Sequence, residues 1–133
     1  MRVLVLDDME SRQSSFKMCL IGTLMDQAYD ARTAIKLLDQ TAAAKTQYDV
    51  VYLDHDLSEC HYSDQSGSTK EEETGMAVVD HIITMAVELR PKHCVVHSWN
   101  QTRGMEMCYR LRDAGIRVTR WLFQENNLPN LTR

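Results

Sequence analysis

The chain has 133 residues, of which 44% are hydrophobic and 26% are charged, with a formal net charge of −4. These values favour a single globular domain over residues 1–133, large enough to bury its own core. No apolar run approaches the ~20 residues that a membrane-spanning helix needs, and the chain lacks the Lys/Arg stripe that sequence-independent nucleic-acid binding requires.

Strands and helices are predicted to alternate along the chain. Continuous apolar runs predict buried strands at 3–6, 50–53 and 94–96, and weaker patterns predict strands at 27–31 and 116–123. Apolar residues at helical spacing predict helices at 10–25, 34–44, 76–89 and 103–114, the second capped by Thr33. This order is typical of an α/β fold with a parallel sheet and helices on both faces.

Between the second and third of the buried strands lies a polar stretch without periodicity, at about 58–74. A structureless segment of that length inside a compact domain usually has a function. We therefore expect a loop there that serves as a lid.

The four cysteines form no CxxC pair and show no metal-ligand spacing. The N-terminus meets acidic residues at Asp7 and Asp8, which argues against a signal peptide. We therefore expect a reduced protein without disulfides, located in the cytoplasm.

Polar side chains follow each of the three buried strands. The clusters are Asp7-Asp8, then Asp54-His55-Asp56, then His97-Ser98-Asn100. The carboxyl ends of parallel strands share one edge of the sheet, where open α/β sheets bind ligands. Helix capping explains one such residue, but not two acids and a histidine in the sequence LDHDL, so the clusters predict a site at this edge.

The four carboxylates of these clusters would repel one another if they lay close together. A hard cation such as Mg²⁺ would offset them, or one carboxyl group would keep its proton and act as a general acid. His55 and His97 add two imidazoles whose ordinary pKa lies near neutrality. Such groups can share the acid and base roles of a hydrolysis.

The element order, the Asp7-Asp8 pair, Asp54 after the third strand and Ser98 after the fourth resemble the receiver domains of response regulators. The resemblance implies a flavodoxin-like, doubly wound five-stranded sheet of order 2-1-3-4-5. In that family the acidic pair holds Mg²⁺ and the Asp corresponding to Asp54 is phosphorylated. The chain departs from it, because no lysine follows Lys92. We also expect the last helix of that fold to be missing or truncated.

The sequences LDHDL and VHSWN, followed by a helix with Gly104, Met107 and Leu111, resemble the cyclic-phosphate-processing receiver-like domains over about residues 2–123. This resemblance implies a phosphodiesterase that acts on a cyclic phosphate of the nucleotide or ADP-ribose type. Site roles follow for nine positions: catalysis by His55, His97, Asp54 and Asp56, phosphate binding by Ser98, Asn100 and Arg103, and Mg²⁺ binding by Asp7, Asp8 and also Asp54.

Two other functions stay open. The chain could be an inert receiver-like module that binds a phosphorylated ligand or a protein partner, or a receiver that accepts a phosphoryl group on Asp54. In each case a homodimer is possible, as receiver-like folds often pair. Trp99, inside VHSWN, is interpreted as an aromatic side chain that covers the sheet edge rather than as a base-stacking residue.

Overall fold

The computed structural model describes residues 1–57 and 74–122. Five strands form one parallel sheet, and their order β2-β1-β3-β4-β5 confirms the predicted topology. The strands are β1 (Arg2–Leu6), β2 (Leu24–Ala28), β3 (Val50–Leu53), β4 (His93–Val96) and β5 (Arg117–Arg120). β1, β3 and β4 are the continuous apolar runs of the sequence, and they occupy the centre of the sheet, where both faces are covered.

Within the described residues, four α-helices flank the sheet: α1 (Glu10–Cys19), α2 (Ala31–Ala43), α3 (Gly75–Thr84) and α4 (Gln101–Asp113). Phe16 of α1 packs on one face, against Val3, Val5 and Tyr52. The other three helices cover the opposite face in a larger core cluster. The sheet is therefore doubly wound, as predicted.

Strand register places the strand ends side by side. Leu6 of β1 is paired with Leu53 of β3, and Leu53 is paired with Val96 of β4. The residue that follows each strand is Asp7 for β1, Asp54 for β3 and His97 for β4. The strand order reverses between β1 and β3, which is where ligands bind in open α/β sheets.

The predicted bounds of the first helix and second strand were wrong. The helix was expected to reach residue 25, but it ends at Cys19 and the chain turns through Gly22, whose φ of 94° favours glycine. β2 consequently begins at Leu24, earlier than predicted. Leu24 is 73% exposed, because β2 is an edge strand. Its position in the sequence fits helical spacing, but its side chain is not buried as that spacing predicts.

Two further helix ends differ from prediction. Asp30, not Thr33, is the N-cap of α2, since its carboxylate accepts a hydrogen bond from Thr33 N at 2.7 Å. The helix predicted at 76–89 ends at Thr84, and a separate 3₁₀ turn covers Val87–Leu89. The predicted lid lies in residues 58–73, outside the described residues, except for Thr74, which is the N-cap of α3. The prediction about a final helix also lies outside them, in residues 123–133.

Candidate functional site

Asp7, Asp54 and His97 form the buried centre of the candidate site. His97 Nε2 lies 3.0 Å from Asp7 Oδ2, and both side chains are fully buried. Asp54 is 2% exposed and directly follows β3, the strand between β1 and β4. The His97 ring also meets Phe16 edge-on, with 5.2 Å between ring centroids, so the packing of α1 fixes the imidazole's orientation. The structure thus brings together one predicted residue from each of the three strand-end clusters.

Arg12 supplies a positive charge to this centre, and the sequence interpretation missed it. Its Nε lies 3.4 Å from Asp7 Oδ2 and its Nη2 lies 4.0 Å from Asp54 Oδ2, with 18% of the side chain exposed. Arg12 sits in the first turn of α1, directly beyond the end of β1. That position was the available signal, because the first turn of a helix that follows a central strand faces the ligand-binding edge.

Burial raises the pKa of Asp54 to about 6, because the charged carboxylate is removed from water. His97 and the Arg12 guanidinium lower this pKa, whereas the nearby carboxylates of Asp7 and Asp8 raise it further. A carboxyl group with this pKa exchanges its proton close to neutral pH.

Gln13, a second residue that the sequence interpretation missed, holds the end of β1 in place. It is fully buried, and its side-chain amide donates hydrogen bonds to the carbonyl oxygens of Val5, Asp7 and Ala28 at 2.9–3.2 Å. The backbone that carries Asp7 is therefore fixed by a side chain of α1. Because a polar residue on a helix is usually solvent-exposed, the sequence does not indicate that Gln13 holds the end of β1. Only the tertiary contacts identify this role.

A second network surrounds His55. His55 Nδ1 lies 2.6 Å from Asp56 Oδ1, and Asn100 Nδ2 approaches the two carboxylate oxygens of Asp56 at 3.3 and 3.4 Å. Asn100 is also the N-cap of α4, since its Oδ1 accepts a hydrogen bond from Arg103 N. An ionised carboxylate can only accept, so Nδ1 is the donor in this contact, and in a neutral imidazole with that tautomer Nε2 is the acceptor.

The remaining predicted site residues differ in their placement. Ser98 is fully buried and its Oγ accepts a hydrogen bond from Asn100 N at 3.1 Å. Asp8 is half-buried and close enough to act electrostatically on Asp54. Arg103 instead pairs with Glu106 at 2.9 Å on the exposed side of α4, and the structure does not bring it to the centre of the site.

The N-terminus of α3 lies directly against the loop that carries Asp54 and His55. Gly75 N donates a hydrogen bond to His55 O at 2.9 Å. A Cβ atom at Gly75 would lie 1.9 Å from the carbonyl oxygen of Asp54, so only glycine fits there. The close approach sets the position of both Asp54 and His55 relative to the helix.

The geometry of the centre is compatible with a metal ion. Asp7, Asp54 and His97 each offer one ligand atom, and these atoms lie within 4.8 Å of one another. The predicted ligand set differs, because the structure groups His97, rather than Asp8, with the other two. Two carboxylates and one imidazole form a donor set that several divalent metals accept.

Comparison with known families identifies one relationship. Residues 2–113 match the family described as "Cyclic-phosphate processing Receiver domain". Neither the curated proteins nor the solved structures include a significant match to this chain. Among the described residues, no helix has both the length and the apolar character that crossing a membrane requires.

Proposed function

Because the chain belongs to the cyclic-phosphate processing receiver family, we propose that it hydrolyses a cyclic phosphodiester to a phosphomonoester. The observation that carries this proposal is the pair of histidine–carboxylate contacts at one sheet edge, His55–Asp56 at 2.6 Å and His97–Asp7 at 3.0 Å. The side chain of Asp54 belongs to the same edge. A site that holds an oriented imidazole beside a protonatable carboxyl group has the parts that acid–base hydrolysis needs.

His55 is the general base in this proposal. Asp56 holds its Nδ1–H, and Asn100 holds Asp56, so Nε2 can accept a proton from the attacking water. Water oxygen bonds to phosphorus, one ring P–O bond breaks, and the leaving oxygen takes a proton. The proton that His55 gains is afterwards released to solvent, and the acid that protonated the leaving oxygen takes one back from solvent, so the reaction consumes one water and regenerates the site.

Asp54 is the general acid that protonates the leaving oxygen. Its pKa of about 6 supports this role, since an aspartate with an ordinary pKa is almost completely deprotonated near neutral pH and cannot donate a proton. His97 is assigned a positioning role, because its side chain is fully buried and its Nε2 contacts Asp7 at 3.0 Å. This assignment refines the role of acid or base that the sequence suggested for His97.

Arg12 supplies the positive charge that a phosphate requires. Its side chain is 18% exposed, whereas those of Asp7 and Asp54 are 0% and 3% exposed, so Arg12 is the most accessible of these three charged groups to an anion. Binding of a divalent cation such as Mg²⁺ is an alternative to this acid role of Asp54. Asp7, Asp54 and His97 would hold the cation only with Asp54 ionised, and the cation would then polarise the phosphoryl oxygens in place of the proton that Asp54 donates.

The test is incubation of the protein with nucleoside 2′,3′-cyclic, 3′,5′-cyclic and base-free cyclic phosphates, with and without Mg²⁺, followed by phosphorus NMR. We expect His55→Ala to lower turnover by about 10²–10⁴-fold, the usual contribution of a positioned acid or base. His81→Ala is the matched control, since His81 also contacts a carboxylate, Asp39 at 2.7 Å, but lies on α3. Equal turnover by the two variants would refute the assignment of His55.

Two further measurements distinguish the proposed hydrolase from the two other functions. A cyclic phosphate that binds tightly and is recovered unchanged would indicate a binding module. Acetyl phosphate followed by intact-mass measurement reports phosphorylation, and an adduct that is lost in Asp54→Asn would indicate a phospho-accepting receiver.

A further inference from the structure

Arg120, the last residue of β5, carries a positive charge that no described side chain neutralises. Its Nε and Nη1 atoms are buried and have no hydrogen-bond partner. None of the ion pairs among the described residues involves it, whereas Arg12 contacts both Asp7 and Asp54. Arginine cannot lose its proton near neutral pH, so the cost of burying this charge has to be offset by an anion.

The Arg120 guanidinium packs against the buried side of α4. A Cβ atom at Gly104 would lie 3.1 Å from its Cζ, Nε and Nη2 atoms, so the guanidinium occupies space that a larger side chain in the first turn of α4 would fill. One turn further along, burial raises the pKa of the Cys108 thiol and the charge of Arg120 lowers it. The first turn of a helix carries the positive end of its dipole, so α4 adds to the positive potential at this position.

This position belongs to the ligand-binding edge of the sheet but lies apart from the proposed reaction centre. Arg120 is paired with Val96 of β4, and His97 is the residue that follows Val96. The charges that act on the pKa of Asp54 include that of Arg12 but not that of Arg120. An anion held by Arg120 would therefore be a different group from the phosphate that Arg12 attracts. The side chain of Arg120 is only half-buried as a whole, so such a ligand can reach it.

We propose that Arg120 is the centre of a second phosphate-binding site, separate from the site at which the cyclic phosphate reacts. The separation rests on the proposed function, which places the reacting phosphate beside Arg12, whereas the binding of an anion at Arg120 does not. A guanidinium presents a planar fork that matches two phosphate oxygens, and N–H groups in the first turn of a helix can donate to a third. The phosphate is either a second group on the substrate or a free phosphate ion.

The test measures the affinities of three ligands by calorimetry: adenosine 2′,3′-cyclic phosphate, the same compound with an added 5′-phosphate, and inorganic phosphate. If the site binds a second group of the substrate, the 5′-phosphate should strengthen binding to the wild-type protein, and Arg120→Met should remove that gain. If it binds free phosphate, the two nucleotides should bind equally and Arg120→Met should weaken binding of inorganic phosphate. In either case the expected loss is about 10- to 150-fold, the usual effect of losing hydrogen bonds to a charged group.

Two results would overturn the proposal. Arg120→Met could leave all three affinities unchanged, and Arg120 would then bind no phosphate. It could also weaken the two nucleotides equally, which would place Arg120 at the reacting phosphate instead. Thermal unfolding without phosphate excludes a purely structural role, because removing an unpaired buried charge should leave Arg120→Met at least as stable as the wild-type protein.

Arg117→Met is the matched control, since it removes the same charge from an exposed position of the same strand. It should leave the affinities as they are. Gly104→Ala tests the site without removing a charge, because the new Cβ would crowd the guanidinium and should weaken phosphate binding. If Arg120→Met fails to fold, an unchanged phosphate affinity in Gly104→Ala would still overturn the site.

The two proposals fail in different ways, because binding and turnover are measured separately. If phosphate binding depends on Arg120 but the wild-type protein hydrolyses neither nucleotide, the hydrolase assignment is wrong and the second site stands. If both nucleotides are hydrolysed and no affinity depends on Arg120, the hydrolase stands and the second site is wrong.

Discussion

Replacing Asp54 by asparagine should make the protein more stable at alkaline pH while it abolishes turnover. Burial holds the Asp54 carboxyl at a pKa of about 6, above its ordinary value of 3.8. Each pKa unit corresponds to about 1.4 kcal/mol, so keeping this group ionised lowers the free energy of unfolding by up to about 3 kcal/mol. Asparagine has nearly the same shape and carries no charge, and it therefore avoids this cost.

The sign of the pH dependence follows from the direction of the shift. The folded state binds the Asp54 proton more tightly than the unfolded state does, so its contribution to stability is fully present below about pH 4. That contribution is lost as the pH rises through about 6. Wild type should consequently lose stability relative to Asp54→Asn over this interval.

Urea unfolding of both proteins at a series of pH values between about 4 and 8 measures this difference. Using the difference between the two proteins cancels the titration of every other group that the substitution leaves alone. We expect the two curves to coincide near pH 4 and to separate towards pH 8, with the variant more stable. A constant difference across the range, or a variant that is less stable at pH 8, would refute the argument that Asp54 is held at a raised pKa.

Two further predictions concern the residues that position the site. Gly75→Ala should destabilise the fold by about 1–3 kcal/mol or more, because the new Cβ would lie 1.9 Å from the backbone oxygen of Asp54. Gly104→Ala is its control in thermal unfolding, since that Cβ would meet only the movable end of Arg120 at 3.1 Å, and equal losses in the two variants would contradict the close-approach argument. Asn100→Ala should cost about 0.5–2 kcal/mol as a lost N-cap and lower turnover as well, because Asp56 loses a donor. Asn100→Asp keeps the cap but places a second carboxylate about where Nδ2 lies 3.3 Å from Asp56, so it should lose activity and part of its stability through repulsion; full activity in that variant would show that the contact with Asp56 is dispensable.

The central strands and the polar residues at their carboxyl ends could be predicted, because burial on both faces of a strand gives a continuous apolar run in the sequence. A short continuous apolar run that ends in acids or histidines marks β1, β3 and β4. Parallel topology then places Asp7, Asp54 and His97 at one edge. The edge strand β2 was placed wrongly because it is only partly buried, with Leu24 exposed. Its sequence therefore lacks the continuous apolar run that identified the central strands.

Helix ends were less predictable, because short-range signals compete there. The apolar residues Leu20 and Leu24 continue a helical spacing beyond Cys19, but the turn at Gly22 ends the helix first. Thr33 and Asp30 are both suitable caps by residue type, and only the backbone geometry of α2 selects Asp30.

The sequence by itself determined the fold class and the set of ionisable residues at the strand ends. Only the tertiary structure decided which of them act together. It paired His97 with Asp7 and His55 with Asp56, and it turned Arg103 outward. It also places Arg12 of α1 beside the carboxylates of Asp7 and Asp54. The physical reason is that periodicity reports which face of an element is buried, whereas contacts between side chains depend on distances across elements far apart in the chain.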